Sequence, residues 1–286
     1  MASQERSMPF IKNLASSDRK IRTSALASLQ HFLSARQVSA ALTPLDILKL
    51  WKGLFFALWM CDRAIPQQNL CNDLADLIYI LPREAVIPWL RGFWSTMSRE
   101  WTGIDVLRLE KFLLLVRRVL GASFRWMKGG GGKDSQVADE SWDNERVHDI
   151  LSLLSEFPFA LDEELKNEEE GGDKQHQEEQ DKLAPRKIPV GVKLHVLDIW
   201  VDEAEKVGML EESDEKAQAI LQRIVEQVDI LEKRTVSPAV RVRSKESLAD
   251  DRLSANKAEQ NTGGALGNDT EMTEPGDGGS WDGFDD

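Results

Sequence analysis

Four histidines and two cysteines are the side chains of this sequence best suited to bind a metal or attack a substrate. No histidine pair follows the HExxH pattern, and Cys61 and Cys71 lack the CxxC spacing of a zinc site. The glycine run 129–132 resembles a phosphate-binding loop. However, Met127 and Asp134 stand where that motif requires a glycine and a serine or threonine. The sequence therefore predicts no catalytic residue, no metal site and no cofactor.

Positively charged side chains cluster between residues 108 and 128, where Glu110 is the only acidic residue. The candidate RNA- or partner-binding residues are Arg108, Lys111, Arg117, Arg118, Arg125 and Lys128. Helical spacing lets four of them share one polar side, which would suit phosphate binding: Arg108, Lys111, Arg118 and Arg125. A solvated face without a ligand is the alternative, and the sequence leaves both interpretations open.

The charge of the chain is unevenly divided along its 286 residues, whose formal net charge is −13. Residues 1–128 carry +8 and the remainder −21, which favours RNA or an acidic partner for the first part. Two cysteines exclude a disulfide-rich secreted scaffold. The first residues lack the apolar core of a secretory signal, and the longest apolar run is far below the roughly 18 residues of a membrane span. We expect an intracellular soluble protein without membrane contact.

The elements that must position these residues are helices, because apolar residues recur at helical spacing and no β alternation is evident. Helix starts are indicated by Ser17 or Asp18, by Thr43 with Pro44, and by Asp105 after a break at Gly103. Further helices are predicted over 142–157, 190–207 and 214–234. The expected fold is all-α, a solenoid-like (HEAT-like) stack of antiparallel helix pairs with a disordered acidic linker and C-terminal tail.

Four regions are predicted along the chain. Residues 8–160 form an N-terminal helical repeat region, and residues 161–187 form an acidic linker or loop. Residues 188–235 form a C-terminal helical hairpin that packs on the same domain, and residues 236–286 form a mostly disordered tail. The linker prediction depends on residues 162–181, which hold ten acidic residues, two lysines and no apolar face.

Nine tryptophans beside one tyrosine are an unusual feature of the composition. Most of them lie on or beside apolar helical faces, so core packing is favoured over base stacking. Trp101 lies at the corner between two predicted helices, where it is expected to wedge them together. Arg99 and Glu100 either brace this corner or face a partner, and the sequence does not decide between the two.

Three blocks of sequence resemble the eukaryotic nucleolar rRNA-processing protein 1 family, also called the Nop52 family. The blocks are residues 48–62, residues 93–105 continuing through Arg108 and Lys111, and residues 191–203. The likeness covers roughly residues 8–235. The candidate structural residues of the family motifs are Trp51, Trp59, Asp62, Arg99, Glu100, Trp101, Gly103, Asp105, His195 and Asp198.

This resemblance implies a non-enzymatic scaffold of the nucleolus, and hence the nucleus, that is required for maturation of precursor rRNA in pre-60S particles. It implies pre-60S assembly factors and pre-rRNA as partners, and no small-molecule substrate. The rivals are an adaptor of assembly factors that never touches RNA, and a hidden nuclease. The glycine insert at 129–132 and the short acidic C-terminus depart from the family pattern, so contacts made by basic tails are not carried over.

Overall fold

A computed structural model of the chain describes residues 10–35, 41–129, 141–161 and 187–253. Within these residues the regular structure is helical, apart from one isolated β-bridge between Lys128 and Trp142. The all-α prediction is confirmed for this part of the chain. The helices are α1 (Phe10–Leu14), α2 (Arg19–Ser34), α3 (Pro44–Trp59), α4 (Ala64–Ala75), α5 (Arg83–Glu100), α6 (Val106–Trp126), α7 (Asn144–Glu156), α8 (Val190–Lys206), α9 (Glu215–Arg234) and α10 (Pro238–Leu248), with 3₁₀ turns at Asp76–Tyr79 and Trp101–Gly103.

The helices stack in two layers. One layer runs through α1, α3, α5, α7 and α9, each packed on the next, and the other runs through α4, α6, α8 and α10. Within the second layer α4 and α6 are parallel, since Cys71 and Tyr79 of the α4 region contact the backbone of α6 at Lys111 and Ala122 respectively. The prediction of a solenoid-like helical stack is therefore confirmed.

The helix starts agree with the local signals in the sequence. Thr43 and Asp46 form a reciprocal capping box at the start of α3, which Pro44 then opens. Asp18, Asp105 and Asp214 each accept a backbone N–H bond in the first turn of the following helix. These side chains satisfy amide groups that have no partner within the helix.

One apolar core runs through the whole stack and explains the abundance of tryptophan. Trp51 of α3 packs against Trp89 of α5 with ring centroids 5.0 Å apart, and its indole Nε1 donates to the Trp89 carbonyl oxygen at 2.9 Å. Phe93 meets the same Trp51 ring edge-on at 5.0 Å. These rings join the first layer, as core packing of tryptophan predicted.

The stack extends beyond the boundary expected at residue 236. Helix α10 packs on α8 and α9, with Val240 and Ser244 fully buried. The Trp200 indole donates to the Ser247 hydroxyl at 2.6 Å in the interior. The prediction of a mostly disordered segment from 236 is therefore wrong over α10, because this helix packs through small polar side chains rather than an apolar stripe.

Other sequence-based expectations lie outside the described residues. These are the glycine spacer after Gly129, the acidic segment 162–181 and the tail from 254 onward. Among the described helices, none combines the length and the apolar character that crossing a bilayer requires.

Candidate nucleic-acid interface

Lys111 is buried, which differs from the solvent-facing position expected from helical spacing. Only 5% of its surface is exposed, and its Nζ donates to the carbonyl oxygens of Trp59 at 2.7 Å and Cys61 at 2.9 Å. These carbonyls lie at the end of α3, where they lack intrahelical partners. Burial lowers the pKa of the Lys111 ammonium, while Asp62, 3.8 Å away, favours its charged form. Lys111 therefore caps α3 instead of facing a ligand.

Arg108 lies in the first turn of α6 and is held on two sides. Its guanidinium pairs with the Asp105 carboxylate and stacks over the Trp59 ring, 4.9 Å from the ring centroid. Trp59 is itself half-buried against the core. Arg108 therefore joins the end of α3 to the start of α6, with part of its side chain still exposed.

Arg117 connects α6 to α8 through two carboxylates. It donates from Nε to Glu203 at 2.7 Å and from a terminal nitrogen to Asp202 at 2.8 Å. Glu203 is only 3% exposed, and it also accepts from Lys206 at 2.6 Å. Its carboxylate occupies the space in which a Cβ atom on Gly121 would lie, so the glycine permits this close approach. The charge of Arg117 is thus compensated by carboxylates of the protein itself.

The three remaining candidates differ in their surroundings. Arg118 is half-buried, whereas Arg125 is exposed and donates from Nε to the Tyr79 hydroxyl at 3.2 Å. The Lys128 ammonium lies 4.9 Å from the centroid of the Trp142 ring. Of the six predicted contact residues, Arg118 and Arg125 therefore lack a carboxylate partner among the described residues, and Arg125 is the more exposed of the two. Their role in binding remains a prediction.

The corner between α5 and α6 contains several residues of the predicted family motif. Glu100 accepts from Arg99 at 3.0 Å and from Lys52 of α3 at 3.2 Å, so the corner is braced by ionic hydrogen bonds. Trp101 is half-buried, less enclosed than the core position expected for it. Gly103 is exposed, and a Cβ atom there would meet no neighbour.

Two motif residues lie on α8. His195 is half-buried, and its Nε2 lies 2.9 Å from the Leu113 carbonyl oxygen of α6. Burial lowers the pKa of His195, while this hydrogen bond to the backbone opposes the shift. Asp198 pairs with Arg243 of α10. Both residues thus connect neighbouring helices of the second layer.

The sequence did not predict the contacts of two residues, Tyr79 and Glu203. Tyr79, the single tyrosine, orients Arg125 and also donates to the Ala122 carbonyl oxygen at 3.1 Å. Glu203 gives Arg117 its buried partner, although no spacing signal connects residues so far apart in the chain. Proximity in the solenoid, rather than local pattern, creates both contacts.

The described residues contain no group of three or more histidine, cysteine or acidic side chains placed to hold a metal ion. Both cysteines are buried free thiols, and burial raises the pKa of Cys71 to about 12, which disfavours the reactive thiolate.

The fold is that of a solenoid-like, all-α protein. A family model described as "Nucleolar protein, Nop52" matches residues 5–277, so the chain belongs to the Nop52 family. It is 33% identical over 203 residues to the mouse "Ribosomal RNA processing protein 1 homolog A", covering 70% of this chain and 34% of the relative. The human homolog A is 34% identical over 200 residues, covering 69% and 36%. The human homolog B is 30% identical over 210 residues, covering 72% and 23%. The chain therefore spans about a third or less of the length of these relatives.

Proposed function

We propose that this protein is a non-enzymatic helical scaffold that acts in rRNA processing in the nucleolus, within precursors of the large ribosomal subunit. The observation that carries the proposal is the family match over residues 5–277, together with relatives whose names refer to ribosomal RNA processing. The partners in this proposal are pre-60S assembly factors and pre-rRNA.

The described side chains support a scaffold rather than a nuclease. A metal-dependent nuclease needs several carboxylates converging on one site. Here the partly buried acids Asp202 and Glu203 are bonded to Arg117, and Asp198 pairs with Arg243. These carboxylates connect helices, which is a structural use of their charge.

Gradient sedimentation and precursor analysis test the proposal. A tagged full chain should co-sediment with large-subunit precursors, and its depletion should increase unprocessed large-subunit rRNA while small-subunit precursors stay normal. Re-expression of the full chain should reverse the defect. Sedimentation only at the top of the gradient, with normal precursor levels after depletion, would contradict the proposal.

An adaptor that binds only proteins is the second candidate, and an exposed apolar edge favours it. Val106 and Leu107, in the first turn of α6, are 80% and 90% exposed. Ile65, in the first turn of the neighbouring parallel helix α4, is 72% exposed. Large apolar side chains with this degree of exposure are typical of protein contacts when they form one patch. Ultraviolet crosslinking in cells separates the candidates, since an adaptor would give crosslinks to proteins and none to precursor rRNA.

A further inference from the structure

We propose that Arg118 and Arg125 form a binding site for the phosphodiester backbone of RNA on the outer surface of α6. This inference rests on the proposed function and deepens it, because it names the residues and the part of the RNA that they contact. The site reads no base sequence, since both ligand groups are phosphates.

The two arginines are positioned to contact different phosphates. They are seven residues apart on one helix, so they share a face and are separated by about 10 Å along the helix axis. The Arg125 guanidinium group is held through its Nε atom, which donates to the Tyr79 hydroxyl at 3.2 Å. A nucleic-acid strand supplies a row of phosphates and can contact both arginines at this spacing.

The two guanidinium groups differ at their Nε edge, which has a hydrogen-bond partner in Arg125 and none in Arg118 among the described residues. The Arg118 Nε atom is buried and has no partner among the described residues. Its two terminal nitrogens do not share this buried, unpaired state. The Arg125 Nε donates to the Tyr79 hydroxyl, which is itself anchored on the Ala122 carbonyl. A preorganised arginine edge can donate two parallel hydrogen bonds to a phosphate and loses little conformational entropy on binding.

Arg118 and Arg125 also differ from the other cationic residues of α6, whose charges are paired or buried. Arg108 is neutralised by Asp105, Arg117 by Asp202 and Glu203, and Lys111 is buried. In the described part of the chain, no carboxylate forms an ion pair with Arg118 or Arg125. The nearby Glu203 carboxylate is already bonded to Arg117 and Lys206. An incoming RNA strand therefore meets two cations that form no ion pair with a described carboxylate.

RNA is favoured over an acidic protein segment by what lies between the arginines. Protein interfaces are usually centred on exposed apolar or aromatic anchors. Gly121 and Ala122 lie between the two cations, are buried, and offer no such anchor. The exposed apolar pair of α6, Val106 and Leu107, lies more than two helical turns away from Arg118.

The test measures binding of a short single-stranded RNA to the full chain by fluorescence anisotropy over a range of salt concentrations. Replacing both arginines, Arg118→Gln with Arg125→Gln, should weaken binding about tenfold or more at low salt. It should also reduce the slope of log affinity against log salt by about 1.4, which is two phosphate contacts to a single strand.

A matched control exists on α9, where Lys216 and Arg223 are exposed and also seven residues apart. The double variant Lys216→Gln with Arg223→Gln removes the same charge from the other layer and should leave affinity and slope nearly unchanged. Equal losses in the two double variants would overturn the site. So would unchanged binding in the α6 variant, or a wild-type chain that does not bind RNA.

Two single variants keep the test decisive if the α6 double variant folds poorly. Arg125→Gln changes an exposed side chain and should reduce the slope by about 0.7. Tyr79→Phe keeps the ring but removes the hydroxyl that orients Arg125, so affinity should fall several-fold with the slope retained. Circular dichroism of each variant checks the helical content. Full RNA affinity in both single variants would count against the site.

Two further measurements separate this inference from its rivals. Binding of polyglutamate in preference to RNA, lost on replacing the arginines, would assign the surface to an acidic protein and overturn the RNA site. The proposed function has its own readout, co-sedimentation with large-subunit precursors. If the α6 variant loses RNA affinity but still co-sediments, the RNA site stands. If the wild-type chain binds RNA at this site but never co-sediments, the proposed function is refuted and the RNA site is not.

Discussion

The indole ring of Trp101 lies against the backbone of Gly191, so that a Cβ atom at position 191 would meet the Trp101 Nε1 atom at 2.7 Å. Trp101 belongs to the 3₁₀ turn between α5 and α6, and Gly191 to the first turn of α8. The missing side chain at position 191 lets the indole bridge the corner to α8. Trp101 therefore joins three helices, α5, α6 and α8. The sequence predicted only its contact with the first two.

Replacing Trp101 by alanine should destabilise the protein by about 2 kcal/mol. This is below the range of about 3–5 kcal/mol for a fully buried tryptophan, because the Trp101 side chain is only half-buried. Urea denaturation followed by circular dichroism measures the change. Thr102→Ala, an exposed neighbour in the same turn, is the control and should change stability little. A Trp101 variant as stable as wild type would contradict this role of the indole in joining the helices.

The Trp200–Ser247 hydrogen bond predicts that α10 belongs to the folded core. Ser247→Ala should cost about 1–2 kcal/mol, since it leaves the buried Trp200 N–H without its acceptor. Thermal melting gives the change, with Ser152→Ala on the exposed side of α7 as the control. Removal of residues from 236 onward should cost considerably more. A truncated chain that melts like the full one would contradict this role of α10.

The sequence predicted those features that depend on neighbouring residues. The capping box of Thr43 and Asp46 and the cap at Asp105 are determined within one helical turn, so the starts of α3 and α6 could be read directly. The apolar stripes likewise indicated which faces would pack. Residues near the turns, including Gly103, marked where one helix stops and the next begins.

Features that depend on contacts between distant residues could not be predicted. Lys111 follows the polar spacing of α6, yet its side chain is buried because its Nζ donates to the carbonyl oxygens of Trp59 and Cys61. Helix α10 lacks an apolar stripe, because Ser244 and Ser247 fill its contact with α8. Small polar residues in a helix normally indicate exposure to solvent. Here they are buried because another helix packs against them, and the local sequence does not show this contact.

The ionic contact between Arg117 and Glu203 leads to a prediction about domain organisation. We propose that the helices before and after residues 162–186 fold as one unit, and this contact joins α6 to α8 across that gap. Arg117→Met should cost about 3 kcal/mol, because it removes a partner from a carboxylate that is only 3% exposed. The double variant with Glu203→Met should be less destabilised than Arg117→Met alone.

A double-mutant cycle by urea denaturation measures this coupling, and the shape of the transition reports on cooperativity. One unit should unfold in a single transition in wild type and in every variant. Arg223→Met, on an exposed site of α9, is the control for replacing an arginine by an apolar side chain. Two separated transitions in wild type would show that the parts fold independently, and additive effects would show that the contact contributes nothing.

The environment of His195 predicts a pH dependence of stability. Burial lowers the pKa of His195 from its ordinary value of 6.5, so the unfolded chain binds a proton more readily than the folded one. The contribution of His195 to stability is therefore fully present above pH 6.5 and is lost as the pH falls through the folded-state pKa. The neutral ring keeps its hydrogen bond to the Leu113 carbonyl oxygen, whereas a charged ring would be poorly solvated there.

His195→Gln isolates this effect, because glutamine can donate to the same carbonyl oxygen but does not titrate. Other groups, such as Asp202 and Asp250, titrate at acidic pH in both proteins, so the difference between wild type and variant reports His195 alone. Between pH 7 and pH 5, wild type should lose more stability than the variant in urea denaturation, with parallel curves above pH 7. Parallel curves over the whole range would show that His195 titrates equally in the folded and unfolded chains. A wild type that gains stability relative to the variant on acidification would show that a nearby carboxylate such as Asp198 has more effect on the pKa of His195 than burial has.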